Sequence, residues 1–309
     1  MSVEIISKAK ETKDAHYIED CPSYEIPSIN WLIQGYSVAG DRTGFIIKSL
    51  GVFLDGGMNS YKQVFDLFVT HSHADHTKNI PSLVMNTEHK ITVHCPKELV
   101  KPLSLYNRAS QSLNDCTELN ERDNLNYNGI SAEKFFELSS IKGKKGQHLY
   151  ITTVKCHHTV PCIGYIFSIK KDKLKDEYKG LAGKEIGKLR KSGVEICNTT
   201  YEKKLAFLGD TTSDIFKNKN SELLKTPVIM IECTAINDKI RVETARSRGH
   251  MHWDELEPIV KEHPEITFIL IHFSRSYKEE EIIEHFKDQG YPNIVMWLPN
   301  QVVKINKPN

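Results

Sequence analysis

An α/β sandwich, two sheets packed face to face with helices on the outside, is the fold this chain's pattern predicts. Short β-branched and aromatic runs bounded by turn residues recur in both halves of the chain, and helical periodicity follows each cluster. A chain of 309 residues, 39% apolar and 26% charged, can also bury one large core shared by both halves, so 1–309 reads as a single domain. In the first half the strand-like runs are 44–47, 52–55, 64–69, 91–94 and 149–154, with a helical pattern at 96–113. In the second half they are 162–169, 205–208, 228–231 and 267–272, interleaved with helical patterns at 182–191, 252–262 and 278–288. The polar, asparagine-rich stretch 120–129 reads as an exposed loop.

Composition narrows the class of protein. Seven cysteines without a Cys-x-x-Cys fit reduced thiols, so any metal must use His and carboxylate ligands. A formal net charge of +1 means that a polyanion must be held by a local patch. No apolar stretch approaches a membrane span, and the first residues lack a secretory signal, so an intracellular protein, cytoplasmic or nuclear, is expected.

The most informative segment is His71-Ser72-His73-Ala74-Asp75-His76, three imidazoles and a carboxylate in six residues after the apolar run 64–69. These are ligands of Zn²⁺ and similar ions, and a strand end aims several of them at one small volume. Alternating His71 and His73 point differently from adjacent Asp75 and His76, which suits two neighbouring ions better than one. The bland reading is a His-rich surface loop. Later residues sit where they could complete the site: His158 just after 149–154, Asp210 in the turn Gly209-Asp210-Thr211, and His272 closing 267–272. Each taken singly could equally be a hydrogen-bonded buried histidine or an ordinary turn residue.

Together with these ligands, several motifs carry a family resemblance. They are Gly35-Tyr36-Ser37-Val38-Ala39-Gly40, Phe53-Leu54-Asp55-Gly56-Gly57 and Thr70 to His76, then His158 with Gly164-Tyr165 six residues on. Leu208-Gly209-Asp210-Thr211-Thr212, Glu232-Cys233-Thr234, Gly249-His250-Met251-His252 and Ile271-His272-Phe273-Ser274 extend it over about residues 28 to 290. The chain resembles the metallo-β-lactamase superfamily and, within it, the short, plant-like form of ribonuclease Z, the tRNA 3′-processing endonucleases. The fold implied is an αββα four-layer sandwich of two mixed sheets with helices outside and a protruding basic arm.

The resemblance also implies roles. One metal ion would take His71, His73 and His158; a second would take Asp75, His76 and His272; Asp210 would bridge them. Two divalent cations are expected, Zn²⁺ first, with Mn²⁺ and Fe²⁺ accepting the same ligands. Such ions acidify water and screen a phosphodiester's charge. Asp75 would double as the base that positions water, His250 would protonate the departing ribose oxygen, and Glu232 would orient His250 or be an ordinary strand-end carboxylate. His157 is assigned no chemistry, and His252 either supports the site or begins a helix.

Residues 170–193 hold nine Lys and Arg against four Asp and Glu. Composition alone favours a solvated face; the resemblance makes the segment an inserted RNA-binding arm, with Gly180, Gly183 and Gly187 allowing it to bend. The expected RNA contacts are Lys171, Lys173, Lys175, Lys179, Lys184, Lys188, Arg190 and Lys191. Arg275 is added to them, although the order Arg275-Ser276-Tyr277 departs by one position from the family's pattern. The implied activity is removal of the 3′ trailer from precursor tRNA by a homodimer in which one subunit's arm serves the other's site. A different hydrolase on the same metals and a non-catalytic RNA-binding protein are the alternatives.

Overall fold

The computed structural model describes residues 2–10, 15–85, 87, 89–119, 125–138, 148–217 and 222–306. In chain order the strands begin with β1 (Val3–Lys8), β2 (Ser23–Ile26), β3 (Trp31–Val38), β4 (Arg42–Ile47), β5 (Val52–Leu54), β6 (Asp66–Phe68), β7 (Ile91–Pro96) and β8 (Leu125–Ile130). They continue with β9 (Phe135–Leu138), β10 (Leu149–Cys156), β11 (Cys162–Leu174), β12 (Cys197–Phe207), β13 (Val228–Glu232), β14 (Thr267–Ile271), β15 (Ile294–Trp297) and β16 (Gln301–Ile305). The helices are α1 (Ala74–Thr77), α2 (Ile80–Met85), α3 (Val100–Asp115), α4 (Gly183–Lys191), α5 (Val242–Ser247), α6 (Trp253–Glu262) and α7 (Glu279–Gln289).

Among the described residues the strands form two mixed sheets. One has nine strands in the order β1-β16-β15-β14-β13-β12-β11-β10-β9, and the other has seven, β2 through β8 in sequence order. Their inner faces share one core in which Phe45, Leu54 and Phe68 meet Tyr165, Phe207 and Trp297. Two hydrogen-bonding aromatic side chains tie the sheets together there: Tyr165 Oη donates to the Val69 carbonyl at 2.7 Å, and Trp297 Nε1 donates to the Gly35 carbonyl at 2.9 Å. Outside the nine-stranded sheet, Trp253, Leu256 and Phe286 of α6 and α7 pack on Ile229 and Phe268. Outside the seven-stranded sheet, Leu83 and Leu103 of α2 and α3 pack on Phe53, Leu67 and Val93. The result is the four-layer αββα sandwich that the motifs imply. No helix among the described residues is long and apolar enough to cross a membrane.

Two sequence expectations change. The stretch 120–129 is not a loop throughout, because β8 begins at Leu125 and pairs with β7. Its buried ends, Leu125 and Ile130, anchor an edge strand whose Asn126 is exposed while Asn128 bonds the buried His94, a pattern that polar composition hides; residues 120–124 lie outside the described residues. Of the three glycines expected to bend 170–193, Gly180 lies in a turn and the other two do not. Gly183 and Gly187 lie within α4, and the one glycine of the segment with a left-handed φ is Gly193, at +81° just past that helix.

The basic segment itself is built on β11. From Lys170 to Leu174 that strand pairs with 197–201 of β12, giving a two-stranded ribbon. A short 3₁₀ turn (Asp176–Tyr178) and α4 follow on it.

Candidate active site

Strand direction decides where the chemistry gathers. β5, β6 and β7 run parallel, and so do β12, β13, β14 and β15, so the carboxyl ends of each set lie at one edge of the sandwich. His71 follows β6, Asp210 follows β12, Glu232 ends β13, His272 follows β14, and His158 sits in the turn between β10 and β11. Within the hexapeptide the backbone is extended through His73 and turns helical at Ala74, which separates His71 and His73 from Asp75 and His76. Gly57 lets α1 seat against the sheet, since a Cβ there would lie 2.0 Å from the Asp75 carbonyl oxygen.

The ligand atoms form two sets joined by one carboxylate. His71, His73, His158 and Asp210 make one group whose donor atoms lie within 4.8 Å of one another, and Asp75, His76 and His272 make the other; a third, overlapping group of Asp210, His250 and His272 meets the same distance. Asp210 Oδ2 faces His71 Nε2 at 3.6 Å and His158 Nε2 at 3.8 Å. Its other oxygen, Oδ1, faces His76 Nε2 at 3.4 Å and His272 Nε2 at 3.5 Å. All seven residues predicted as ligands therefore converge, and Asp210 lies between the sets.

The outer hydrogen bonds show why these donors fit divalent cations. His76 Nδ1–H donates to Asp55 Oδ2 at 2.7 Å, His158 Nδ1–H to the Gly249 carbonyl at 2.8 Å, His71 Nδ1–H to Thr70 Oγ1 at 3.0 Å and His272 Nδ1–H to Thr234 Oγ1 at 3.1 Å. With Nδ1 protonated on all four rings, Nε2 is the nitrogen left to coordinate, and in each it points inward. His71 Nε2 is buried without a hydrogen-bond partner, and His76 Nε2 lies only 3.3 Å from His272 Nε2. Such crowded acceptors need positive charge among them. The same demand appears in His76, where burial works downward but Asp210 and Asp55 outweigh it and push the imidazole up to about 10.

Asp55 and Thr70, which sequence reasoning assigned no role, link the two ligand sets. Asp55 is buried, accepts from the Thr70 N–H at 2.7 Å and from its hydroxyl, and also holds His76; the same hydroxyl meets His71. Asp55 and His272 both have left-handed φ, +54° and +61°, although neither is glycine. Such backbone costs about 1–3 kcal/mol and persists where surrounding bonds impose it. The one available signal was Asp55-Gly56-Gly57, which reads as a turn until the fold places it beneath the hexapeptide.

His250 and Glu232 stand beside the ligand sets. His250 Nδ1 meets Glu232 Oε1 at 3.0 Å, while Glu232, fully buried, also accepts from the Thr211 N–H at 2.8 Å and from the Thr234 hydroxyl. Burial works to lower His250, and the carboxylates of Glu232 and Asp210 outweigh it, holding the imidazole at about 9. Asp75 is fixed by the Gly40 N–H, 2.9 Å from its Oδ2. Burial opposes its ionised form, but the imidazoles of His272, whose Nε2 lies 3.3 Å from Asp75 Oδ2, and of His76 keep it below the usual carboxylate range.

The remaining residues singled out in the sequence are dispersed. His252 begins a helix: its Nδ1 accepts from the Asp254 N–H and caps α6. Arg275 is exposed beyond His272. Lys171 is ion-paired with Glu202, and Lys179 with Asp176. Lys173, Lys184, Lys188, Arg190 and Lys191 are exposed and Lys175 is half-exposed, all on the ribbon and α4, away from the ligand sets.

Residues 60–273 match the Beta-lactamase superfamily domain. The chain is 32% identical over 279 residues to tRNase Z TRZ1 of Arabidopsis thaliana, covering 88% of this chain and 92% of that one. It is 29% identical over 284 residues to the chloroplastic tRNase Z TRZ2 of the same plant, covering 90% and 77%. Among solved structures, the metallo-beta-lactamase fold protein YhfI from Bacillus subtilis superposes with a TM-score of 0.54 at 14% identity over 88% of this chain and 97% of that chain, a likeness of fold.

Proposed function

The chain belongs to the beta-lactamase superfamily and, within it, to the tRNase Z family, and from that premise we propose that it is a metal-dependent endoribonuclease that removes the 3′ trailer of precursor tRNA. The observation that carries the hydrolytic chemistry is Asp210, whose two oxygens face two separate sets of imidazoles. His71, His73, His158 and Asp210 would hold one divalent ion, and Asp75, His76, His272 and Asp210 the other, with Zn²⁺ the ion best matched to an imidazole-rich set. Bound there, the ions supply Lewis acidity that acidifies water and screens the phosphodiester.

The chain's own groups do the rest. Asp75, held by Gly40, positions the attacking water. His250 carries the proton needed by the departing 3′ oxygen, because an alkoxide is a poor leaving group. Glu232 holds His250 by Nδ1, and the opposite nitrogen meets no partner among the described residues. The products are a 3′-hydroxyl on the tRNA and a 5′-phosphate on the trailer.

The ribbon and α4 serve as the RNA-binding arm. β11 runs thirteen residues from Cys162 near the ligands to Leu174, roughly 40 Å at ~3.3 Å per residue. An arm that far out suits the body of a large substrate, or the site of a second subunit in a homodimer, better than its own cleft. Purified protein loaded with Zn²⁺ should cleave a precursor tRNA just past the acceptor stem, and the Asp210→Ala variant should not. Equal cutting of unstructured RNA, or turnover of a β-lactam in its place, would replace this reading with that of a broader hydrolase.

A further inference from the structure

The turn that supplies His158 carries a second imidazole, and its surroundings differ. His157 lines a cavity of about 800 Å³ that adjoins the ligand sets, since His158 belongs to both and Gly249, which also lines the cavity, holds His158 Nδ1. Its backbone is pinned on both sides: the N–H donates to Thr211 Oγ1 at 2.9 Å, and the carbonyl accepts from the Thr212 N–H at 3.0 Å. The half-exposed ring has no hydrogen-bond partner among the described residues. Pro96, Ile130 and Val160 give the cavity an apolar lining, and Lys97 and Lys155 stand on it as exposed cations. No ion pair holds Lys155 among the described residues, and the partner of Lys97, Glu98, is 4.0 Å away and equally exposed.

We infer that this cavity is the subsite for an unpaired nucleotide next to the scissile phosphate, with the base stacked on the imidazole of His157 and a phosphate drawn by Lys155. The inference rests on the proposed function. A planar imidazole beside apolar walls matches a base's π-face, and cations match its phosphate. Paired bases are already stacked in a duplex, so only a single-stranded nucleotide has a face to offer. Continuity with the ligand sets through His158 places that nucleotide beside the bond being cut.

The test compares wild type with His157→Ala and His157→Phe on precursor tRNAs that are intact or carry one abasic site immediately 5′ or 3′ of the scissile bond. The inference expects His157→Ala to lower kcat/KM on the intact substrate by roughly 5- to 100-fold, the range of one lost base stack. An abasic site at one of the two positions should cost wild type a similar factor and cost His157→Ala nothing further, while His157→Phe keeps most of the activity and bound metal stays at the wild-type level in both variants. Losses that multiply, a His157→Phe variant as impaired as His157→Ala, or indifference to both abasic sites would overturn it. Should wild type leave every precursor uncut, the proposed function itself is overturned, and the subsite with it.

Discussion

At the scale of single residues, the candidate site depends on groups that lie outside both sets of ligand atoms. Asp55 is the clearest case, because one buried carboxylate orients His76 directly and His71 through Thr70. Asp55→Asn keeps its size but removes the charge; metal affinity measured by chelator competition should fall about 10- to 100-fold, as for comparable outer ligand partners. Unchanged affinity would show that Asp55 merely closes a turn. The His250–Glu232 pair makes a different prediction. Replacing His250 by Ala should lower kcat by about 10²- to 10⁴-fold with metal content intact, and Glu232→Gln should lower kcat with little change in KM. If Glu232→Gln instead released metal, its place would be among the structural supports of Thr211 and Thr234.

At the scale of elements, strand polarity and one helix do most of the positioning. The four-residue α1 converts one sequence motif into two sets of ligands, and the parallel runs β5–β7 and β12–β15 bring their ends to one edge. The ribbon of β11 and β12 carries the basic residues in the opposite direction. Lys184, Lys188 and Lys191 are spaced to share one face of α4. Changing all three to Glu should raise KM for precursor tRNA and flatten its dependence on salt, while hydrolysis of a minimal phosphodiester proceeds as in wild type. Parallel loss on both substrates would mean that the segment supports the fold.

At the scale of the whole molecule, the site sits on a core shared by both sheets. Phe207 packs edge-on to Phe45 across that core, 6.1 Å between centroids, and is fully buried. Phe207→Ala should therefore destabilise the protein by about 3–5 kcal/mol in denaturant unfolding. Bound metal should act on the same equilibrium: adding Zn²⁺ should raise Tm and a chelator should lower it, because the ligands come from widely separated parts of the chain and assemble only when it is folded. A Tm indifferent to both would count against a metal centre at this edge.

Much of this was legible in the chain itself. Strands such as 44–47 and 228–231 are apolar enough to announce themselves, and the hexapeptide states its chemistry because its ligands are neighbours in sequence. Strands β1, β2, β3, β8, β9, β15 and β16 were not read as strands; β2, β8 and β9 are too brief or too hydrophilic to stand out from loop, whereas β3 and β15 are apolar and buried and were missed all the same. Nor were the functions of Asp55, Thr70 and Thr234, since a residue that orients another has no composition signal of its own. The sequence by itself supplied the residue types of the candidate ligands and the basic segment, and the division of those ligands into two sets came from the family resemblance. The tertiary structure alone decided that Asp210 faces both ligand sets, that Glu232 reaches His250, and that His157 looks into a cavity while His158 looks at Asp210. Those relations depend on distances between residues far apart in the chain, which only the packing of the two sheets creates.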